Sequence, residues 1–260
     1  MLILAFDTTN EHGGVGLFRD ADCLACVANE GPANYSVTLF LMVDRLLAPL
    51  KLALRDVELF AVANGPGSFT GIRIGVAAAQ GWAMAFRRPV RGVSVLEAMV
   101  DEARPETDLA VPILDARRGE FFLGLYRRTL RPALHHTQQG PVAVDTGLFT
   151  SQGEGMVMKT NALGPFFEQL ASGKRAGGIV TCLGREVEPL VQAVRPSLPT
   201  TVGWQSVPGP LMGAIARLAL GAHRRGRPQP PAELHATYIR WSDAELHLQK
   251  VEKQSQEHER

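Results

Sequence analysis

Asp7 ends an apolar run, LILAFD, and Thr8 and Thr9 follow it directly. A carboxylate at a strand end can hold a hydrated magnesium ion, and hydroxyls with the backbone N–H groups of a tight turn can meet phosphate oxygens. The same residues suit a plain hairpin turn, and taken alone the stretch favours that turn. A second stretch, GPGSFTGIRIG, runs from Gly65 to Gly75 behind another apolar run, VELFAVAN. Gly65, Gly67 and Gly71 form G-x-G-x-x-x-G. This misses the dinucleotide fingerprint, because Thr70 stands where the last glycine belongs, and no Gly-Lys-Ser/Thr follows to make a P-loop. Pro66, two residues before Ser68, excludes a nucleophile elbow. What remains is a strand, a glycine-rich turn and a helix start, whose free N–H groups attract anions. Ser68 and Thr70 are equally natural helix caps. The candidate phosphate- or nucleotide-binding residues are therefore Asp7, Thr8, Thr9, Gly65, Gly67 and Ser68.

The helix that begins there carries a second signal. Gly71, Gly75 and Ala79 share one face, four apart. Interior glycine costs a helix about 1 kcal/mol, so close packing should offset it. The packing partner is either the chain's own sheet or a second polypeptide, and the two readings stand level.

Other chemistries find little support. The seven histidines include no two spaced three to five apart, so a metal site built on one helix is not expected. Cys23 and Cys26 form C-x-x-C, but in a stretch that reads as a strand rather than a helix start. Residues three apart on a strand face opposite sides, which favours a purely structural role for both.

These candidates must be held by the surrounding elements. LILAFDTT, GGVGLFRD and CLACVANE read as three hairpin-connected strands. YSVTLFLMVDRLLAPL has helical spacing, VELFAVANG is a buried strand, and Gly71–Phe86 is a helix by length. RPVRGVSV is a strand, and the next helix opens with Ser94 and Glu97 spaced as a capping box. The order predicts an α/β lobe over residues 1–108, with a sheet that starts antiparallel and becomes parallel. A smaller lobe is expected over 109–208, opening with two strands joined by a turn at Arg117–Glu120. Its later signals weaken: strands are expected near Pro141–Val144 and Gly178–Leu183, and helices near Pro165–Ala171 and Glu186–Val194. A helix near 209–225 should pack back on the first lobe, and 226–260 reads as a Pro-rich segment with a charged tail. No internal repeat is visible.

Lys plus Arg is 27 and Asp plus Glu is 26, so no global field draws the chain to nucleic acid. Any RNA contact needs a local patch, such as Arg127, Arg128 and Arg131 or Arg224, Arg225 and Arg227. Such clusters are more often solvated faces. No apolar run is long enough to span a bilayer, and the N-terminal stretch lacks a basic leader, so a cytoplasmic protein is expected.

Taken together, ILAFDTT, NGPGSFTGIRIGVAAAQGWA, GVSVLEAM, DARRGEFFLGLY and HATYIR resemble the TsaB/YeaZ family of accessory proteins for threonylcarbamoyladenosine synthesis on tRNA. The resemblance is strong from Met1 to about Tyr126, loose to Pro208, and returns weakly at the end. It implies an α/β, two-lobed fold of the actin/Hsp70/sugar-kinase type, with mixed sheets flanked by helices. It implies kinship with TsaD, which binds metal through an H-x-x-x-H pair that this chain lacks. Relatives usually carry histidine where this chain has Tyr35, so no role is carried to that position. Kinases of this fold need a second phosphate loop around D-x-G-G. The nearest stretch here, RAGGIV, has Arg175 in place of the aspartate.

The resemblance therefore implies a non-catalytic scaffold with a vestigial phosphate loop, no required cofactor, and at most weak ATP or ADP binding in the N-terminal lobe or between lobes. The implied partners are TsaD and TsaE, with a homodimer in isolation and only indirect or weak tRNA contact. The expected contact residues are Phe40, Val43, Leu47, Gly71, Gly75, Val76, Ala79 and Trp82, on the helices Ser36–Leu47 and Gly71–Phe86. Competing readings are an ATPase or kinase using Asp7, Thr9 and Ser68, and a metallopeptidase, which the histidine spacing disfavours.

Overall fold

Every residue of the first strand, β1 (Leu2–Asp7), is buried. Successive side chains point to opposite faces, so Leu2, Leu4 and Phe6 enter one core, while Ile3 and Ala5 enter another. A strand apolar on both faces belongs in the middle of a covered sheet. β2 (Gly14–Arg19) pairs with it antiparallel, and β4 (Leu59–Ala63) pairs parallel on its other side. With β3 (Asp22–Ala28) and β5 (Val90–Val93) at the edges, the order is β3-β2-β1-β4-β5. The computed structural model describes residues 1–29, 31, 34–137, 140–172, 179–185, 188–227 and 229–239.

Helices α1 (Tyr35–Leu47) and α2 (Phe69–Phe86) cover the Leu4–Phe6 face. Helices α3 (Val95–Ala103) and α6 (Met212–Arg224) cover the Ile3–Ala5 face. Arg217 ties these last two together, with Nε 2.8 Å from Asp101 Oδ2 and Nη2 2.8 Å from Glu102 Oε2.

The second sheet repeats the first. β6 (Leu109–Arg117) is central, β7 (Glu120–Leu123) and β10 (Met156–Lys159) follow antiparallel, and β11 (Val180–Gly184) and β12 (Val202–Ser206) add in parallel. The order β10-β7-β6-β11-β12 has the same connectivity as β3-β2-β1-β4-β5. Helices α4 (Thr160–Ala171) and α5 (Glu188–Val194) cover its outer face. The inner face supplies Ala110 and Leu183 to the core around α3 and α6, which are thus sandwiched between the sheets. The result is a duplicated α/β arrangement of two lobes with mixed sheets flanked by helices. A long antiparallel ribbon, β8 (Tyr126–Thr137) with β9 (Gly140–Ser151), branches from β6.

Three expectations need correction. The Ser94–Glu97 capping box is not made: Ser94 forms no side-chain cap bond. The single strand expected at Pro141–Val144 is part of the longer β9. The Pro-rich segment does not stand apart, because Gln229–Ile239 straps the N-terminal lobe. Gly92 N–H donates to Gln229 Oε1, Gln80 Nε2 donates to the carbonyls of Pro231 and Leu234, and Thr237 N–H donates to the Asn64 carbonyl. Leu234 is fully buried. The charged tail from 240 and the RAGG stretch with Arg175 lie outside the described residues.

Candidate functional site

The β1–β2 turn and the glycine-rich loop are hydrogen-bonded to each other. Thr8 Oγ1 donates to the Gly71 carbonyl at 2.7 Å. Ser68 N–H donates to the Thr9 carbonyl at 2.7 Å, and Gly71 N–H donates to Ser68 Oγ at 3.3 Å, capping α2. Within the turn, the N–H and hydroxyl of Thr9 both donate to Asp7 Oδ1, at 2.8 and 2.6 Å. Asn10 Nδ2 donates to Asp7 Oδ2 at 3.1 Å. Asp7, Thr8 and Thr9 are all buried, where polar groups need partners, and they find them in these two loops. Gly65 and Gly67 have φ of 122° and 154°, which favours glycine at both positions. A Cβ at Gly67 would lie 2.6 Å from the Thr9 carbonyl oxygen.

The structure thus brings Asp7, Thr8, Thr9, Gly67 and Ser68 together, whereas Gly65 abuts the Thr237 carbonyl and accepts a hydrogen bond from Val95 N–H. Three of the roughly four lone-pair positions on Asp7 are taken. No group of three His, Cys, Asp or Glu that could hold a metal ion gathers among the described residues.

The glycine stripe is also explained within the chain. A Cβ at Gly71 would overlap the Thr8 carbonyl oxygen, and one at Gly75 would overlap Thr8 Oγ1. The two glycines let α2 approach β1, so they are corrected from partner contacts to internal packing. Most of the predicted contact side chains need the same correction. Val43, Leu47, Val76, Ala79 and Trp82 are packed in the lobe's own core. Trp82 lies between Phe6 and Phe60, at centroid distances of 5.4 and 5.9 Å. Phe40 alone among these side chains is exposed, at 52%. It is joined by Val37 and Leu41 on α1 and by Met84, 67% exposed, on α2. Phe40 packs edge-on against Trp82, so the two helices present one apolar face.

Arg185, just past the end of β11, was not anticipated. Its Nε and Nη2 are buried and have no hydrogen-bond partner among the described residues. Burial pulls this guanidinium below its ordinary pKa, and the Asp7 charge acts against that. Arg185 therefore lies within electrostatic reach of Asp7 in the β1–β2 turn. The carboxyl ends of parallel strands are where α/β sheets bind ligands, and that rule applied to VTCLGR is the signal that could have found it.

The family model described as TsaD, tRNA N6-adenosine threonylcarbamoyltransferase, matches residues 29–136. A Bacillus subtilis protein named tRNA threonylcarbamoyladenosine biosynthesis protein TsaB is 39% identical over 127 residues, covering 49% of this chain and 56% of its own length. The Escherichia coli protein of the same name is 35% identical over 134 residues, with the same two coverages. YeaZ from Pseudomonas aeruginosa superposes with a TM-score of 0.64 over 91% of this chain and 99% of its own, at 23% identity.

About half of the chain is similar in sequence to the TsaB proteins, and the chain shares the fold of YeaZ. It spans just over half the length of the curated TsaB relatives it matches. Tyr35 has a structural use in this chain. It is 2% exposed, its hydroxyl donates to the Asn10 carbonyl at 2.8 Å, and it braces the turn that holds Asp7. Burial and the Asp7 charge push its phenol well above the ordinary tyrosine range. Of the two arginine clusters, Arg224 is paired with Asp20 at 2.6 Å. No helix among the described residues is long and apolar enough to cross a membrane.

Proposed function

We propose that this chain is a non-catalytic scaffold in the synthesis of threonylcarbamoyladenosine on tRNA, and that it docks a TsaD-type transferase on the outer face of α1 and α2. The observation that carries the reading is the exposed set Val37, Phe40, Leu41 and Met84 on two adjacent helices. Clustered apolar exposure of this kind marks interaction surfaces. The names of the TsaB relatives support the pathway, and the hydrogen bonds that occupy the loop donors support the absence of turnover. In isolation the same face pairs two copies of the chain. TsaE is the ATPase of the assembly, and tRNA is held chiefly by the partners.

Leu41→Arg and Met84→Arg should each weaken association with the organism's own TsaD by about 30-fold or more, the loss of a hot spot of about 2 kcal/mol. Light scattering on eluting mixtures measures this, with thermal unfolding of each variant alone as the folding control. Unchanged co-elution of both variants would remove this face as the docking surface.

A second reading concerns Arg185. Its buried Nε and Nη2, without a hydrogen-bond partner among the described residues, favour an anion beside them, such as the phosphate of ADP. ADP at low salt should then raise the melting temperature of the parent and leave Arg185→Met unmoved. An equal rise in both would exclude Arg185 from the site.

A further inference from the structure

A bulge in the edge strand makes neighbours of two cysteines that a regular strand would separate. In the β2–β3 ladder Leu17 stands opposite Ala25 and Phe18 opposite Cys23, which leaves Leu24 without a counterpart. One extra residue shifts every later side chain to the other face. Cys23 and Cys26 consequently emerge on the same side, with their sulfurs 3.1 Å apart. Gly16 lies across the ladder from Cys26, and a Cβ there would come within 2.9 Å of Cys26 Sγ. The bare glycine leaves the space the sulfur occupies. Both cysteines are exposed, whereas the third, Cys182, is buried in the second lobe.

Two thiols alone do not make a zinc site, which asks for four ligands. No third metal-binding side chain joins them among the described residues. Closing the sulfurs from 3.1 Å to the roughly 2.05 Å of a disulfide takes about 1 Å of movement, on a strand with no neighbour beyond it.

We propose that Cys23 and Cys26 form a reactive dithiol that a low-molecular-weight disulfide oxidises to an intrastrand disulfide. The Cys23 thiolate attacks one sulfur of the reagent and expels the first thiolate, giving a mixed disulfide. The Cys26 thiolate then attacks the Cys23 sulfur and expels the second. Two protein thiols are oxidised, one reagent disulfide becomes two thiols, and the two protons leave with them.

The native protein is equilibrated with oxidised glutathione, alkylated with a maleimide and digested with trypsin. The peptide spanning residues 20–45, which carries both cysteines, should be about 2 Da lighter and unalkylated at either, with no cross-linked dimer on a non-reducing gel. Cys26→Ser should stop at a glutathione adduct on Cys23. Full alkylation of both cysteines after equilibration would overturn the proposal. So would separate adducts on the two cysteines, or a link between chains in place of the link within one.

Discussion

Gly71→Ala should cost about 3 kcal/mol or more, whereas Gly81→Ala in the same helix should gain up to about 1 kcal/mol. Helix propensity favours alanine equally at both positions, so the difference is steric. At Gly71 the added methyl meets the backbone carbonyl of Thr8, which is fixed by Ser68 and Gly71 through the Thr8 and Thr9 contacts. Neither loop can yield without losing those bonds. At Gly81 a Cβ meets nothing within 4 Å. Urea unfolding of dilute protein, with m-values compared to confirm the same transition, measures both. Near-parent stability for Gly71→Ala would mean that the two loops are not locked as described. A loss at Gly81 would mean that something else covers that position.

Trp82→Ala should lower stability by about 3–5 kcal/mol, the cost of a large cavity in a packed core. The indole is 8% exposed and is surrounded by Phe6, Phe40 and Phe60, with ring centroids 5.4, 5.7 and 5.9 Å away. Met84→Arg, two residues on and pointing outward, should change stability by less than about 0.5 kcal/mol. The contrast matters for reading association data. A charge at Ala79, which is fully buried, abolishes binding by unfolding the lobe, so its effect says nothing about docking. Substitutions at Leu41 and Met84 separate the two causes. A Trp82→Ala variant as stable as the parent would show that the indole is not part of the core.

The first lobe was readable because its signals are local. The apolar run of β1, the tight turns of β2 and β3 and the capped start of α2 each declare themselves within about ten residues. The duplication of the second lobe was not readable. The β8–β9 ribbon is inserted between the strands that match β2 and β3, and the second of these, β10 (MVMK), is too short to show a period. The helical spacing of α1 and α2 identified the helices but not which stripe faces out. Val43 and Trp82 are as apolar as Phe40 and Met84, and only the sheet beneath decides between them. The cysteine pair inverted for a similar reason. Strict alternation puts positions 23 and 26 on opposite faces, and a one-residue bulge at Leu24 leaves no mark in composition.

The strap has a consequence for how the molecule is made. Residues 229–239 close over β4, β5 and α2, and α6 fills the opposite face of the same sheet. Synthesis runs from the N-terminus, so the N-terminal lobe is sealed by segments translated after the second lobe. On the ribosome it must wait, with part of its apolar surface open, while the whole second lobe emerges.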